Sequence, residues 1–195
     1  TYIGLNRRHY ISTKNLLKKI KKIKSKRIIE VNDQQNQFNL PKIKRKIINY
    51  WMYANSIHLI DYFILLGRGK IKKVMVYKKW KNKKKCFVYA KIIFSSGDEG
   101  IYKALWNLSG PWSVKVTTNK KKFELKPLER LLYQKEKSKI FKNVNLNYHF
   151  DKKFKPGFKN QANELIKVLK SKKSLLPNIN DSLKTMRIIN SIYRR

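Results

Sequence analysis

Leu16, Leu17, Ile20 and Ile23 recur every three or four positions after Ser12 and Thr13, with lysines filling the gaps. This spacing predicts an amphipathic helix from a Ser12 or Thr13 cap to about Lys24. "RIIEV" then predicts a short strand and "NDQQNQFN" a polar loop. Leu40, Ile43, Ile47, Ile48, Trp51 and Met52 return to helical spacing behind Pro41, with Asn55 as the expected stop. "SIHLIDYFILL" is β-rich and apolar and is expected as a strand, turned by "GRGK". Two β-rich runs flank a Lys/Asn stretch in "IKKVMVYKKWKNKKKCFVYAKIIF", which predicts an antiparallel hairpin with its tip near Lys81 to Lys85.

After the loop "SSGDEG", periodicity leaves "IYKALWNL" open between helix and strand. Beyond Gly110 and Pro111, Trp112, Val114 and Val116 fall on one face of a predicted strand and Ser113, Lys115 and Thr117 on the other. "KFEL" offers the returning strand. Past Pro127, "PLERLLYQKEKSKIFKN", "QANELIKVLKSKK" and "DSLKTMRIINSIYRR" read as helices, with an aromatic-anchored loop, "VNLNYHFDKKFKPGFKN", after the first. The expected fold class is α+β: two small α/β domains, the first running helix, strand, helix and strand hairpin and the second a small sheet, followed by a basic, mainly helical C-terminal extension. The corresponding boundaries are a basic tail at 1–11, an N-terminal α/β domain at 12–95, a small β-rich domain at 96–126 and the extension at 127–195.

Charge changes this picture from a fold to a partner. The 195 residues include 48 Lys+Arg against 11 Asp+Glu, a formal net charge of +37 that the chain cannot neutralise internally. A polyanion is the expected partner, because released counterions would drive binding to phosphate. Of these cations 39 are Lys and 9 Arg, so the charge is mostly point-like and suits tracking of a phosphate backbone. With 18 Asn, 4 Ala and 7 Gly, the residue bias is that of an A+T-rich coding sequence, as in organellar genomes. The basic amphipathic "NLLKKIKKIKSKR" also has the character of a mitochondrial targeting helix, although its apolar face has a use in a core. A lone Cys86 excludes a disulfide framework, and "IHLIDYFILLG" is too short and polar to predict a membrane span.

Candidate chemistry is sparse. The acids are scattered; only Asp98 and Glu99 adjoin, where strand geometry would point them apart and a loop would solvate them. His9, His58 and His149 have no ligand spacing and read as surface or half-buried side chains, so no metal site and no cofactor is expected. "GRGK" lacks phosphate-loop spacing. "YIG" at Tyr2 to Gly4, followed by Arg7 and Arg8, resembles half of the GIY-YIG signature, which gives an intron-encoded homing endonuclease or maturase as the alternative of another class. Lysine runs on one helix or in one turn read as solvated faces, but a surplus spread over every element points to contact with nucleic acid from several sides.

The order of elements resembles the small-subunit ribosomal protein S-eight family over residues 12–125. "STKNLLKKIKKIK" is similar to that family's first helix, "PKIKRKIINYWMYANSIHLIDYF" to its second helix and following strand, and "KKCFVYAKIIF" to the strand closing its first domain. "GIYKALWNL" lies where the family has an arginine-rich strand with a tyrosine, and "VKVTTNKKKF" where it has "STSKG", with Lys121 in place of the glycine. The resemblance implies an RNA interface at Thr117, Thr118, Asn119, Lys120, Lys121 and Lys122. Tyr102 and Lys103 join it, as do the lysines Lys18, Lys22, Lys83, Lys84 and Lys85. It further implies a non-catalytic constituent of a mitochondrial small ribosomal subunit, in the matrix, for which the composition points to an organelle-encoded gene. Its partners would be ribosomal RNA and neighbouring ribosomal proteins, with no membrane and no small-molecule substrate; another organellar ribosomal protein of either subunit is the nearest alternative.

Overall fold

A computed structural model describes residues 2–38, 47–82 and 84–193. A single 3₁₀ turn, Asn6–His9, leads into helix α1 (Ile11–Lys21), which buries Leu16 and Ile20 and leaves Lys18, Lys19 and Lys21 in water. Strand β1 (Ile28–Gln35) begins where "RIIEV" predicts one but runs on through "NDQQ", expected as loop, because alternation continues to bury Asp33 and Gln35 on one face. The expected helix from Pro41 lies partly outside the described residues. Asn55 is no stop: the chain passes through a π turn at Met52–Ser56 directly into α2 (Ile57–Leu66), and the Asn55 amide donates to Gln35 Oε1 at 2.8 Å.

Helix α2 is the run expected as a strand. It is apolar almost all round because it lies between the sheet and the last helix, burying Leu59, Ile60, Tyr62, Phe63 and Leu66. A helix covered on both sides loses the polar stripe by which helical periodicity is read. Strands β2 (Ile71–Lys78) and β3 (Cys86–Phe94) form the predicted hairpin, and "IYKALWNL" resolves as strand β4 (Glu99–Trp106). The opening arm and return of the second hairpin are β5 (Ser113–Thr117) and β6 (Lys121–Leu125). The segment expected as a helix after Pro127 is instead β7 (Leu131–Lys135) and the two-residue β8 (Lys142–Asn143). Pairing with the edge of β6 overrides local helix propensity there. Short helices α3 (His149–Lys153), α4 (Phe158–Leu169) and α5 (Ile179–Tyr193) complete the chain.

All eight strands belong to one sheet in the order β2-β3-β4-β1-β5-β6-β7-β8. The α+β class holds, but the two-domain layout does not. β3 and β4 pair across the expected 95/96 boundary, β1 joins β4 on one side to β5 on the other, and residues expected as an extension contribute strands to the sheet and α5 to the core. Among the described residues only β1 and β4 run parallel. Helices α1, α2 and α5 pack on the face carrying Ile29, Val31, Val88, Ala90, Ile92, Tyr102, Ala104 and Trp106. At Gly100 a Cβ would come within 2.8 Å of the Phe63 ring, so the absence of a side chain lets α2 lie close on β4.

Candidate active site at the end of strand β1

Alternation along β1 sends Asp33 and Gln35 to the helix-covered face, where apolar side chains would be expected. Their polarity is matched from three elements. Tyr102 of β4 donates to Asp33 Oδ2 at 2.6 Å, the Gln35 amide donates to Asp33 Oδ1, and Trp51 Nε1 donates to Gln35 Oε1 at 2.9 Å. Tyr102 and Tyr193 hydroxyls lie 2.8 Å apart, and Trp106 Nε1 donates to Tyr193 Oη at 3.1 Å. Burial raises the Asp33 carboxyl above its ordinary range against these hydrogen bonds, and it raises both tyrosines.

Arg7 approaches this region from the 3₁₀ turn. Its guanidinium stacks on the Trp112 ring at 4.8 Å, and Trp112 is itself held by Nε1 donating to Gln34 O at 2.7 Å. Arg7 Nε is buried with no hydrogen-bond partner among the described residues. His58, in the first turn of α2, is half-buried, and its Nδ1 is likewise buried and unpartnered. Burial and then the positive charge of Arg7 push the His58 imidazole down to about 4. The Arg7 charge also acts on Asp33. Arg7 and Trp112 line a groove of about 440 Å³ with Tyr10, Pro111, Lys126 and Leu128. Arg7 can offer a donor, and Trp112 an apolar face, to a molecule in this groove, which Glu129 also lines and His58 does not.

Ion pairing fixes the elements that carry these groups. Arg8, next to Arg7, grips Asp61 of α2 through two contacts of 2.6 Å, and Thr185 of α5 donates to the same carboxylate at 2.8 Å. Asp98 is not solvated by its loop: it is buried, receives Nε and Nη2 of Arg68 at 2.9 and 2.6 Å, and accepts the Arg27 amide at 2.9 Å. Glu99 points the other way, to Lys26 and Lys91. Among the described residues no cluster of His, Cys, Asp and Glu could hold a metal ion, and no helix is long and apolar enough to cross a membrane.

The residues expected at an RNA interface divide. Thr117 to Lys122 form the β5–β6 turn, but Thr118 Oγ1 is engaged by the turn itself, donating to Lys121 O at 2.8 Å and accepting from Lys121 N at 3.1 Å. Lys120 and Lys121 line one groove with Lys18 of α1 and Lys22 just after it. Lys84 and Lys85 are exposed in the distant β2–β3 tip, and Lys83 lies outside the described residues. Tyr102 is fully buried and bonded to Asp33, so it cannot touch RNA, whereas Lys103 on the opposite face is half-exposed. Sequence reasoning met Arg7 only beside "YIG" and His58 only as a histidine without ligand spacing, and joined neither to a site. The available signal was a single histidine within an apolar run, three residues before Asp61.

No protein-family model and no curated protein matches the sequence. The fold, in contrast, recurs. A dehydrogenase from Chromobacterium violaceum is similar with a TM-score of 0.77 at 16% identity, covering 98% of this chain and 59% of that one. The chain shares that fold. UDP-N-acetylglucosamine 3-dehydrogenase from Acidithiobacillus ferrooxidans matches with a TM-score of 0.74 at 11% identity over 97% of this chain and 59% of that one. Aldose-aldose oxidoreductase from Caulobacter crescentus, complexed with glycerol, matches with a TM-score of 0.72 at 16% identity over 99% and 60%. The chain thus spans about three fifths of the solved structures it resembles.

These likenesses overturn the ribosomal resemblance. Similar order of elements over 12–125 concealed a different topology, one continuous sheet, and the similar structures are oxidoreductases. The expectations of a translational constituent without catalytic role, of ribosomal RNA and ribosomal proteins as partners, of no small-molecule substrate, and of a nuclease alternative fall with it. A nicotinamide cofactor is what a dehydrogenase likeness implies, but this chain's residues do not fit its pyrophosphate. Dinucleotide cradles use a parallel sheet and a glycine-rich turn from strand to helix. Among the described residues one strand pair is parallel, and the sequence has no glycine between β1 and α2 or between β8 and α3.

Proposed function

We propose that this chain forms the substrate-side part of an oxidoreductase acting on a small polyhydroxylated molecule. His58 takes the proton of the reacting hydroxyl, and Arg7 holds the oxygen from which it leaves. Oxidation of a secondary alcohol removes one proton and one hydride. The residues here supply the proton acceptor, while the hydride acceptor belongs outside the described residues. A ring driven down to about 4 stays neutral, in its accepting form, throughout the neutral range. The Arg7 cation stabilises negative charge developing on the oxygen, which makes the hydroxyl easier to deprotonate. Trp112, braced by Gln34, gives the apolar face of a sugar-sized ring a surface to lie on.

The observation that carries this reading is the groove lined by Trp112 and by Arg7, whose buried Nε has no partner among the described residues; His58, outside that lining, joins it through its own unpartnered Nδ1 and the Arg7 charge that acts on its ring. Support from the fold comes through likeness to dehydrogenases, two of which are named for carbohydrate substrates. The test is nicotinamide-dependent oxidation by the full-length protein of a panel of aldoses and nucleotide sugars. Against the best substrate, His58→Asn is expected to lower kcat by about 10²- to 10⁴-fold with KM little changed. Turnover by His58→Asn equal to the parent protein overturns the assignment.

A further inference from the structure

A second groove lies away from Arg7 and His58. Four lysines of the C-terminal half of α1 and the residue after it, Lys18, Lys19, Lys21 and Lys22, face Lys120 and Lys121 of the β5–β6 turn and Lys135 of β7. Between the two walls is a space of about 1020 Å³, floored by Ile23, Phe123, Tyr133 and Val144 and lined by no carboxylate. Sequence places the two walls about a hundred positions apart; only the docking of α1 against β6 and β7 brings them together.

Local stability does not account for this arrangement. Cations favour the C-terminus of a helix, but Lys18 and Lys22 are four apart, while Lys18 and Lys21, and Lys19 and Lys22, are three apart, spacings at which like charges repel. A third set across the groove adds to that repulsion. Among the described residues none of the seven forms an ion pair, although Lys26, Lys91, Lys115, Lys167 and Lys184 all find acids. Lysine's compact charge on a flexible stem suits phosphate oxygens without demanding one fixed orientation.

We infer that this groove is a binding site for a linear chain of phosphates, the chemistry shared by inorganic polyphosphate and the phosphate tail of a nucleotide. A single phosphate would leave most of the seven charges unanswered, whereas a chain runs between both walls and releases counterions along its length. Ile23, Phe123 and Val144 of the same lining give the lysine stems apolar surface to lie on while their ammonium groups reach the phosphates.

The test compares the full-length protein with two variants of equal charge. In one, Lys18, Lys22, Lys120 and Lys121 are changed to Gln; in the other, the exposed Lys72, Lys73, Lys78 and Lys79 on and beside the edge strand β2 are changed to Gln. Binding of fluorescent polyphosphate, of ATP and of an oligothymidylate is followed across a salt series. The groove variant is expected to lose at least ~10-fold in polyphosphate affinity and up to about three units of salt slope, with the β2 variant nearly unchanged. ATP bound in the same groove-dependent way identifies the tail of a nucleotide as a source; polyphosphate bound without ATP identifies the longer chain. Equal losses in the two variants would mean net charge alone, and groove-dependent binding of the oligothymidylate without polyphosphate would mean recognition of bases or sugars. Either result overturns the proposal.

Discussion

His9 and His58 illustrate how little a single residue's identity reveals before its surroundings are known. Both are pushed down to about 4, by burial first; His9 also feels Lys14 and Arg8, opposed by Glu164. The unfolded chain binds protons at these rings near 6.5, so between about 6.5 and 4 the unfolded state holds more protons than the folded one. Folding stability contributed by the neutral rings is present above 6.5 and lost as pH falls towards 4. Thermal unfolding measured from pH 7.5 to 4.5 should show this decline, and it should be shallower in His9→Gln with His58→Gln. An unchanged pH slope in the double variant would place the titrating groups elsewhere. Composition predicts three histidines with nothing to distinguish them; the distinction is made by α2 and the N-terminal turn, which desolvate two of them.

At the scale of elements, hydrophobic pattern was a sound guide wherever one face met solvent. α1, β1, the β2–β3 hairpin and the β5–β6 hairpin all have a wet side and form where the pattern predicts, except that Ser12 and Thr13 lie inside α1 instead of capping it and β1 runs on through the expected loop to Gln35. It misled where both sides are covered, as at α2, and where an edge strand needed a partner, as at β7. The loop before β4 depends on a different interaction. Asp98 is buried with Arg68 and also accepts the Arg27 amide, tying the end of α2 and the start of β1 to the β3–β4 turn. The Arg68 guanidinium and the Arg27 amide outweigh the burial that would otherwise raise this carboxyl, so it remains charged below the usual range. Asp98→Ala leaves Arg68 without its counter-charge and should destabilise by about 3 kcal/mol, measured by urea unfolding. A change below ~1 kcal/mol would mark the pair as a surface contact in energetic terms.

In the whole molecule, the C-terminal helix is part of the core. Tyr193 reaches across 91 positions to Tyr102 and 87 to Trp106, and packs edge-on against both rings. Tyr193→Phe keeps the rings and removes the hydroxyl, leaving Trp106 Nε1 without an acceptor, and should cost about 1 to 2 kcal/mol. Equilibrium denaturation checks the value. Amide hydrogen exchange of β4 should rise with that of α5, because the two elements share the network; independent exchange would show that α5 unfolds separately.

By itself the sequence determined the charge, the amphipathic elements and the absence of a glycine-rich phosphate turn, because these depend on composition and on near neighbours along the chain. It placed Lys18 and Lys22 on one exposed helix face and Lys120 and Lys121 at a hairpin turn. Only the tertiary structure decided that these face one another, that Tyr102 is buried and bonded to Asp33, and that the Arg7 guanidinium lies over Trp112. Those relations depend on how distant segments pair across one sheet, and hydrophobic periodicity carries no record of which strand lies beside which.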